Sequence, residues 1–325
     1  MMKLRDTDYL YATMNIRVHE KNLLNPRAIE RMIEAKTTEE VSKILAEFGY
    51  GQTALLSIDE VESAIHNAEA ETVGIVSAAC ENNSIKEVFL LKHDFHNIKA
   101  ITKANFTNQN AGDILSDVSL IPAEKLVSAI KEGDLSILPE KMEKAYTSAA
   151  EVLSHTGNAE LSDYILDEAC FEMMTDAAVA SGSDFLLGYV KLLADIANLR
   201  LAVRMMRRGK TEETREKLLS CGNIAKEKFL GENLTEELAH TDFERAAELG
   251  EKTAKGEASF AEFERELDVM VVKYMQAAKL AVFDERPVVA YLASREADAV
   301  TIRIIMSGKI MGLSPDEIRS RLRVV

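Results

Sequence analysis

Three aspartates stand where a carboxyl group demands an explanation. Asp94-Phe95-His96-Asn97-Ile98-Lys99, Asp195-Ile196-Ala197-Asn198-Leu199-Arg200 and Asp298-Ala299-Val300-Thr301-Ile302-Arg303 share the pattern Asp-x-x-(Asn/Thr)-(Ile/Leu)-(Lys/Arg), at intervals of 101 and 103 residues. On a helix turning about 100° per residue, Leu91, Ile98 and Ile101 fall within roughly 60° of Asp94, and Ile302 and Ile305 fall in the same arc around Asp298. The aspartate therefore lies on the apolar stripe. A carboxylate there must be paired or hydrogen-bonded, because an uncompensated charge in a low-dielectric core costs several kcal/mol. Read as catalysis, the pattern supplies one acid per copy. Read as structure, each Asp, helped by the Asn or Thr one turn on, satisfies backbone N–H groups at a neighbouring helix start and fixes a helix crossing. Three equivalent acids without an adjacent base make no mechanism, so Asp94, Asn97, Asp195, Asn198 and Asp298 are read as buried structural polar groups.

The basic member of the pattern faces elsewhere. Lys99, Arg200 and Arg303 lie about 140° from their aspartates, away from the stripe. Lys103 and Arg204 extend that face by a turn. Repetition would set the three cations at equivalent places, where they form either a docking site for a partner or an ordinary solvated helix face. They are carried forward as the candidate partner-docking residues.

Other constellations weaken on inspection. Gly209-Lys210-Thr211 imitates the end of a phosphate-binding loop, but Arg204 stands where the earlier glycine is needed and the setting is a helix end. His93 and His96 offer metal-ligand types with no third ligand close in sequence and no echo in the other copies. Glu151 and His155 share a helix face as a surface pair. No nucleophile–base signature is present. Neither a catalytic residue, a metal site nor a cofactor is assigned.

The elements that must position the repeated motif are helices. Periodicity is helical almost throughout, with five prolines, no tryptophan and few alternating β-branched runs, so the fold class is all-α. Helix starts are legible at Thr37–Glu40 and at Ser314-Pro315-Asp316-Glu317, and stops at Gly209, Gly250 and Gly308. Each motif helix follows another long helix: Glu160–Ala180 then Phe185–Arg208, and Phe260–Phe283 then Val288–Ser307. A repeat of about a hundred residues exceeds an ordinary solenoid unit and implies three similar helical domains, 1–110, 111–211 and 212–325, with boundaries near Asn108–Gly112 and Gly209–Thr214.

Of the 325 residues 47% are apolar and 29% charged, the balance of a soluble globular chain, and 39 basic against 54 acidic residues give a net charge of −15. Such a field repels nucleic acid and anionic lipid. No apolar run is long enough to span a membrane, and Asp6, Asp8 and Arg17 interrupt the start, so neither lipid insertion nor export is expected. Cys80, Cys170 and Cys221, odd in number and widely spaced, read as small core residues in a cytosolic chain.

Taken in order, these residues resemble the C subunit of the V/A-type rotary ATPases, the counterpart of the d subunit of the eukaryotic V-ATPase. The resemblance covers essentially the whole chain. It rests on Asp8-Tyr9-x-Tyr11 with Arg17, Glu20 and Leu23-Leu24, on Phe48-Gly49-Tyr50-Gly51, on the blocks at Asp94–Lys99 and Asp195–Arg200, and on Ala290-Tyr291-Leu292 through Gly312-Leu313-Ser314. Thr301 departs from the Asn of the first two copies. The resemblance implies a non-catalytic central-stalk protein whose three domains form a funnel around a pseudo-three-fold axis. It also implies a seat on the cytoplasmic face of the membrane rotor ring, with the D and F subunits of the shaft received by the funnel and torque passed between them. A free-standing helical scaffold and a hydrolase or transferase with an unrecognised site are the rival readings.

Overall fold

The computed structural model describes residues 9–51, 54–209, 217–231 and 233–322, and among them no strand forms. The helices run α1 Leu10–His19, α2 Pro26–Glu34, α3 Thr38–Ala46, α4 Ile58–Ala79, α5 Asn83–Thr107, α6 Ala123–Glu132, α7 Glu140–Thr156, α8 Ala159–Ser181, α9 Asp184–Arg208, α10 Leu234–Glu237, α11 Glu244–Lys255, α12 Phe260–Met275, α13 Arg286–Ile310 and α14 Pro315–Arg321. The chain is all-α. Local chemistry sets many of these starts. The side chains of Asn25 and Thr37 accept from backbone N–H groups in the first turns of α2 and α3. Ser57 with Glu60, Ser259 with Glu262 and Ser314 with Glu317 close reciprocal capping boxes on α4, α12 and α14, each satisfying two orphan donors.

Three boundaries differ from the sequence expectation. Gly209 does end α9, in the left-handed region at φ +66°. Gly250 and Gly308, expected as stops, lie inside α11 and α13. Their role is space: a Cβ on Gly250 would come 2.6 Å from Val203 Cγ2, and one on Gly308 2.7 Å from Ile318 Cγ1. The third change is at α12, expected to reach Phe283, which stops at Met275 and passes through a 3₁₀ turn at Gln276–Ala278. Arg17 of α1 holds that turn, its Nη2 donating to the carbonyls of Ala278, Lys279 and Ala281 at 2.9, 3.1 and 3.1 Å.

The chain divides into two compact units, one formed by Asn82–Ala194 and the other by the rest of the described residues, with the division inside α9. In the first unit α5 and α7 both pack on α8. Leu91, Phe95 and Ile98 of α5, Leu166 and Met174 of α8, and Ala149 and Leu153 of α7 are almost wholly buried. In the second unit one hydrophobic cluster joins the two ends of the chain. Met32 and Ile33 of α2, Val41 and Leu45 of α3 and Ile65 of α4 belong to it together with Ile302, Ile305 and Met306 of α13 and Ile318 of α14. The cuts at 110/111 and 211/212 follow the repeat along the sequence; compactness divides the chain elsewhere because a motif helix packs on the long helix of the following copy, α5 on α8 and, returning to the beginning, α13 on α4.

Candidate functional site

The repeated motif builds a repeated joint between a helix and the backbone of a loop. Asp94 is fully buried on α5, and its carboxylate accepts from the N–H of Leu120 at 3.2 Å and of Ile121 at 2.9 Å, just before α6. One turn on, the Asn97 amide donates to the Ser116 carbonyl at 2.8 Å and accepts from its N–H at 2.7 Å. The second joint copies the first. Asp195 accepts from Asn223 N–H at 2.9 Å and Ile224 N–H at 3.1 Å, while Asn198 donates to the Leu219 carbonyl at 3.0 Å and accepts from its N–H at 2.7 Å. Each Asp–Asn pair thereby satisfies four backbone groups of a partly exposed loop that has no ladder partners of its own.

The third joint uses the same aspartate on a different loop. Asp298 of α13 accepts from the N–H of Leu24 at 3.1 Å, in the loop that leads into α2. Thr301 turns its hydroxyl back to the Ala297 carbonyl of its own helix at 3.0 Å. Arg295, also buried, donates to the Asn22 carbonyl at 3.3 Å and to Thr72 Oγ1 at 3.2 Å. Its guanidinium lies 4.6 Å from the Tyr50 ring centroid and 3.9 Å from Asp298 Oδ2.

Burial dominates the electrostatics of these carboxyls. It pushes Asp94 up to about 6 against the opposing N–H groups of Ile121 and Leu120, and Asp298 up to about 7 against Leu24 N–H and Arg295. Glu69 of α4 is likewise pushed up to about 7 by burial, with Glu296 and Glu62 adding to the shift and Arg303 and Arg295 opposing it. Its Oε2 is buried and makes no hydrogen bond among the described residues.

Each of the three motif cations is engaged by a carboxylate of the same chain. Lys99 meets Asp167 of α8 at 2.5 Å, and Lys103 one turn on meets Asp163 at 2.7 Å. Arg200 grips the largely buried Glu264 of α12 bidentately, with contacts of 2.7–3.0 Å. Arg303 grips Glu62 of α4 in the same way, at 2.9–3.0 Å. The face that the sequence offered to a partner or to solvent is the face that pins each motif helix to a neighbouring long helix. Arg204 is exposed.

Sequence reasoning missed the acidic half of these pairs. Glu62, Asp163 and Glu264 stand 101 residues apart, and that spacing was the available signal; Glu62 and Glu264 receive Arg303 and Arg200, whereas Asp163 receives Lys103, one turn beyond Lys99, whose own partner is Asp167. His93 and His96 are spent on structure: His93 Nδ1 lies 3.0 Å from Ser116 Oγ and His96 Nε2 lies 2.8 Å from the Ile114 carbonyl. Glu151 and His155 are both exposed. Lys210 and Thr211 of the phosphate-loop imitation, and Asp8 of the opening pattern, lie outside the described residues. Among the described residues no cluster of three or more His, Cys, Asp or Glu could hold a metal ion, and no helix is long and apolar enough to cross a membrane.

A family-wide comparison gives this geometry a setting. The profile of the ATP synthase (C/AC39) subunit family matches residues 14–321, a stretch that contains all three joints together with their loop partners. The chain belongs to the ATP synthase (C/AC39) subunit family. Among individual C/AC39 relatives, the C subunit of the A-type ATP synthase of Methanocaldococcus jannaschii is 25% identical over 97% of this chain and 86% of its own length. The C subunit of the V-type sodium ATPase of Enterococcus hirae is 21% identical over 95% of this chain and 96% of its own. The C subunit of the V-type ATP synthase of Thermus thermophilus is 22% identical over 62% of this chain and 64% of its own.

Proposed function

We propose that this chain is the non-catalytic central-stalk subunit of a V/A-type rotary ATPase, linking the D and F subunits of the rotating shaft to the membrane rotor ring and carrying torque between them. The observation that supports this most directly is the family match over residues 14–321. In this reading the three helical copies form a funnel about a pseudo-three-fold axis. The protein is then peripheral, held at the cytoplasmic face of the membrane through its protein partners.

The joints suit such a part. A torque-bearing element has to resist shear without unfolding locally, and loop backbone fixed by buried Asp and Asn side chains opens less readily than loop backbone held by solvated contacts. Bidentate Arg–carboxylate pairs add orientation as well as attraction. Nothing in this arrangement asks for a bound substrate.

The test is assembly. The full chain is added to a rotary complex purified without it, comprising ATP-handling head, shaft and ring in detergent or liposomes. The expected result is stoichiometric incorporation and recovery of ATP-driven ion uptake, with ATP hydrolysis by the isolated head unchanged by its absence. A chain that stays unbound to both shaft and ring, or a complex that couples equally well without it, would sink the proposal in favour of an independent helical scaffold.

A further inference from the structure

The three joints are built unequally. In the first two, the Asp–Asn pair makes four hydrogen bonds into its loop. In the third, among the described residues, the loop receives one bond from Asp298 and one from Arg295, at 3.1 and 3.3 Å. Thr301 contributes none, since its hydroxyl is committed to Ala297. What replaces the missing amide is Arg295, which holds a loop carbonyl as Asn97 and Asn198 do. It does so from three residues before the aspartate instead of three after, braced by Thr72 and the Tyr50 ring.

We propose that the third joint is the release point of the fold: a latch between α13 and the loop at residues 22–25, kept shut by Arg295, that opens locally while the other two joints stay closed. The surrounding contacts allow this. Lys309 binds the carbonyls of Ile33 and Ala35, and the shared core holds α2 and α3 on α13 and α14, so the loop can detach without separating the helices on its C-terminal side. Arg17 anchors α1 on the other side of the loop.

Amide hydrogen exchange on the full chain reads the three joints side by side, comparing Leu24 with Ile121 and Ile224 after correction for intrinsic rates. With two fewer bonds to break, Leu24 is expected to exchange about tenfold faster than either counterpart or more. Arg295→Met should speed Leu24 further and leave Ile121 and Ile224 as they were. Thr301→Asn, which restores the amide of the first two joints, should slow Leu24 toward the other two. Equal protection at the three sites in the unmodified chain would overturn the proposal. So would an Arg295→Met effect spread evenly over all three, which marks a global loss of stability, or a Thr301→Asn chain whose Leu24 exchanges as before.

Discussion

Asp195 lies so close to the backbone of Gly222 that a Cβ there would sit 2.0 Å from its Oδ1 and 2.8 Å from its Cγ. Gly222 is not among the residues with positive φ, so its smallness matters here for room, not for conformation. Gly222→Ala should push the loop off the carboxylate, stretch the bonds to Asn223 and Ile224, and destabilise the chain by about 1–3 kcal/mol. Urea unfolding checks this. Unchanged stability would mean the loop can shift without losing those bonds.

Asn198 offers a cleaner probe of the amide's contribution. Asn198→Leu keeps the approximate volume and strands both the N–H and the carbonyl of Leu219, each at a cost of about 1–3 kcal/mol. Asn97→Leu should behave alike through Ser116. Thr301→Leu should cost less, because Thr301 makes no loop contact. Measured side by side in urea, equal losses at all three positions would refute this account of the joints.

Arg200 and Glu264 test the ion pairs. Arg200→Glu places a second carboxylate beside a largely buried one and should cost about 2–4 kcal/mol. The exchange Arg200→Glu with Glu264→Arg should recover much of that loss, since the two groups trade places. A double mutant no more stable than the single one would show that Arg200 acts through something other than Glu264.

The raised carboxyls fix the sign of a pH dependence. Asp94, Asp298 and Glu69 hold their protons more tightly in the folded chain than in the unfolded one. Their contribution is complete below the ordinary carboxylate range and is lost as pH rises through about 6 for Asp94 and about 7 for Asp298 and Glu69. Stability should therefore fall from about pH 4, the ordinary carboxylate range, to about pH 7, where Asp298 and Glu69 titrate in the folded chain, and level off above that. In Asp298→Asn the neutral amide should flatten that fall. Urea midpoints across the interval decide the matter, and an unaltered slope in the variant would remove Asp298 from the account.

The sequence disclosed the helical half of each joint and concealed the other half. Asp94, Asp195 and Asp298 are visible because a charged residue on an apolar stripe breaks a pattern, and recurrence at a near-constant interval makes the break hard to dismiss. Their partners are backbone N–H groups of Leu120, Ile121, Asn223, Ile224 and Leu24, and every non-proline residue carries one. No residue type marks which loop will receive the bond. The ion pairs of the cations were hidden for a related reason. A helical wheel shows that Lys99, Arg200 and Arg303 leave the stripe, but not that each is half-covered by a carboxylate of a neighbouring long helix, Asp167, Glu264 and Glu62, which only the tertiary structure brings within reach. Gly250 and Gly308 read as stops because glycine ends helices often; that they admit Val203 and Ile318 depends on helices distant in sequence.

The shared core of α2, α3, α4, α13 and α14 has a consequence for biosynthesis. Met32 and Ile33 leave the ribosome some 270 residues before Ile302 and Ile305, so at about 5–20 residues per second their apolar surface waits roughly 15–50 s for its partners. During that interval the nascent amino-terminal helices can bury only what they cover themselves, and they are natural clients for a holding chaperone. Ile318 and Leu322 arrive later still, so a premature stop codon even near the end of the message strands a half-built core and marks the product for degradation.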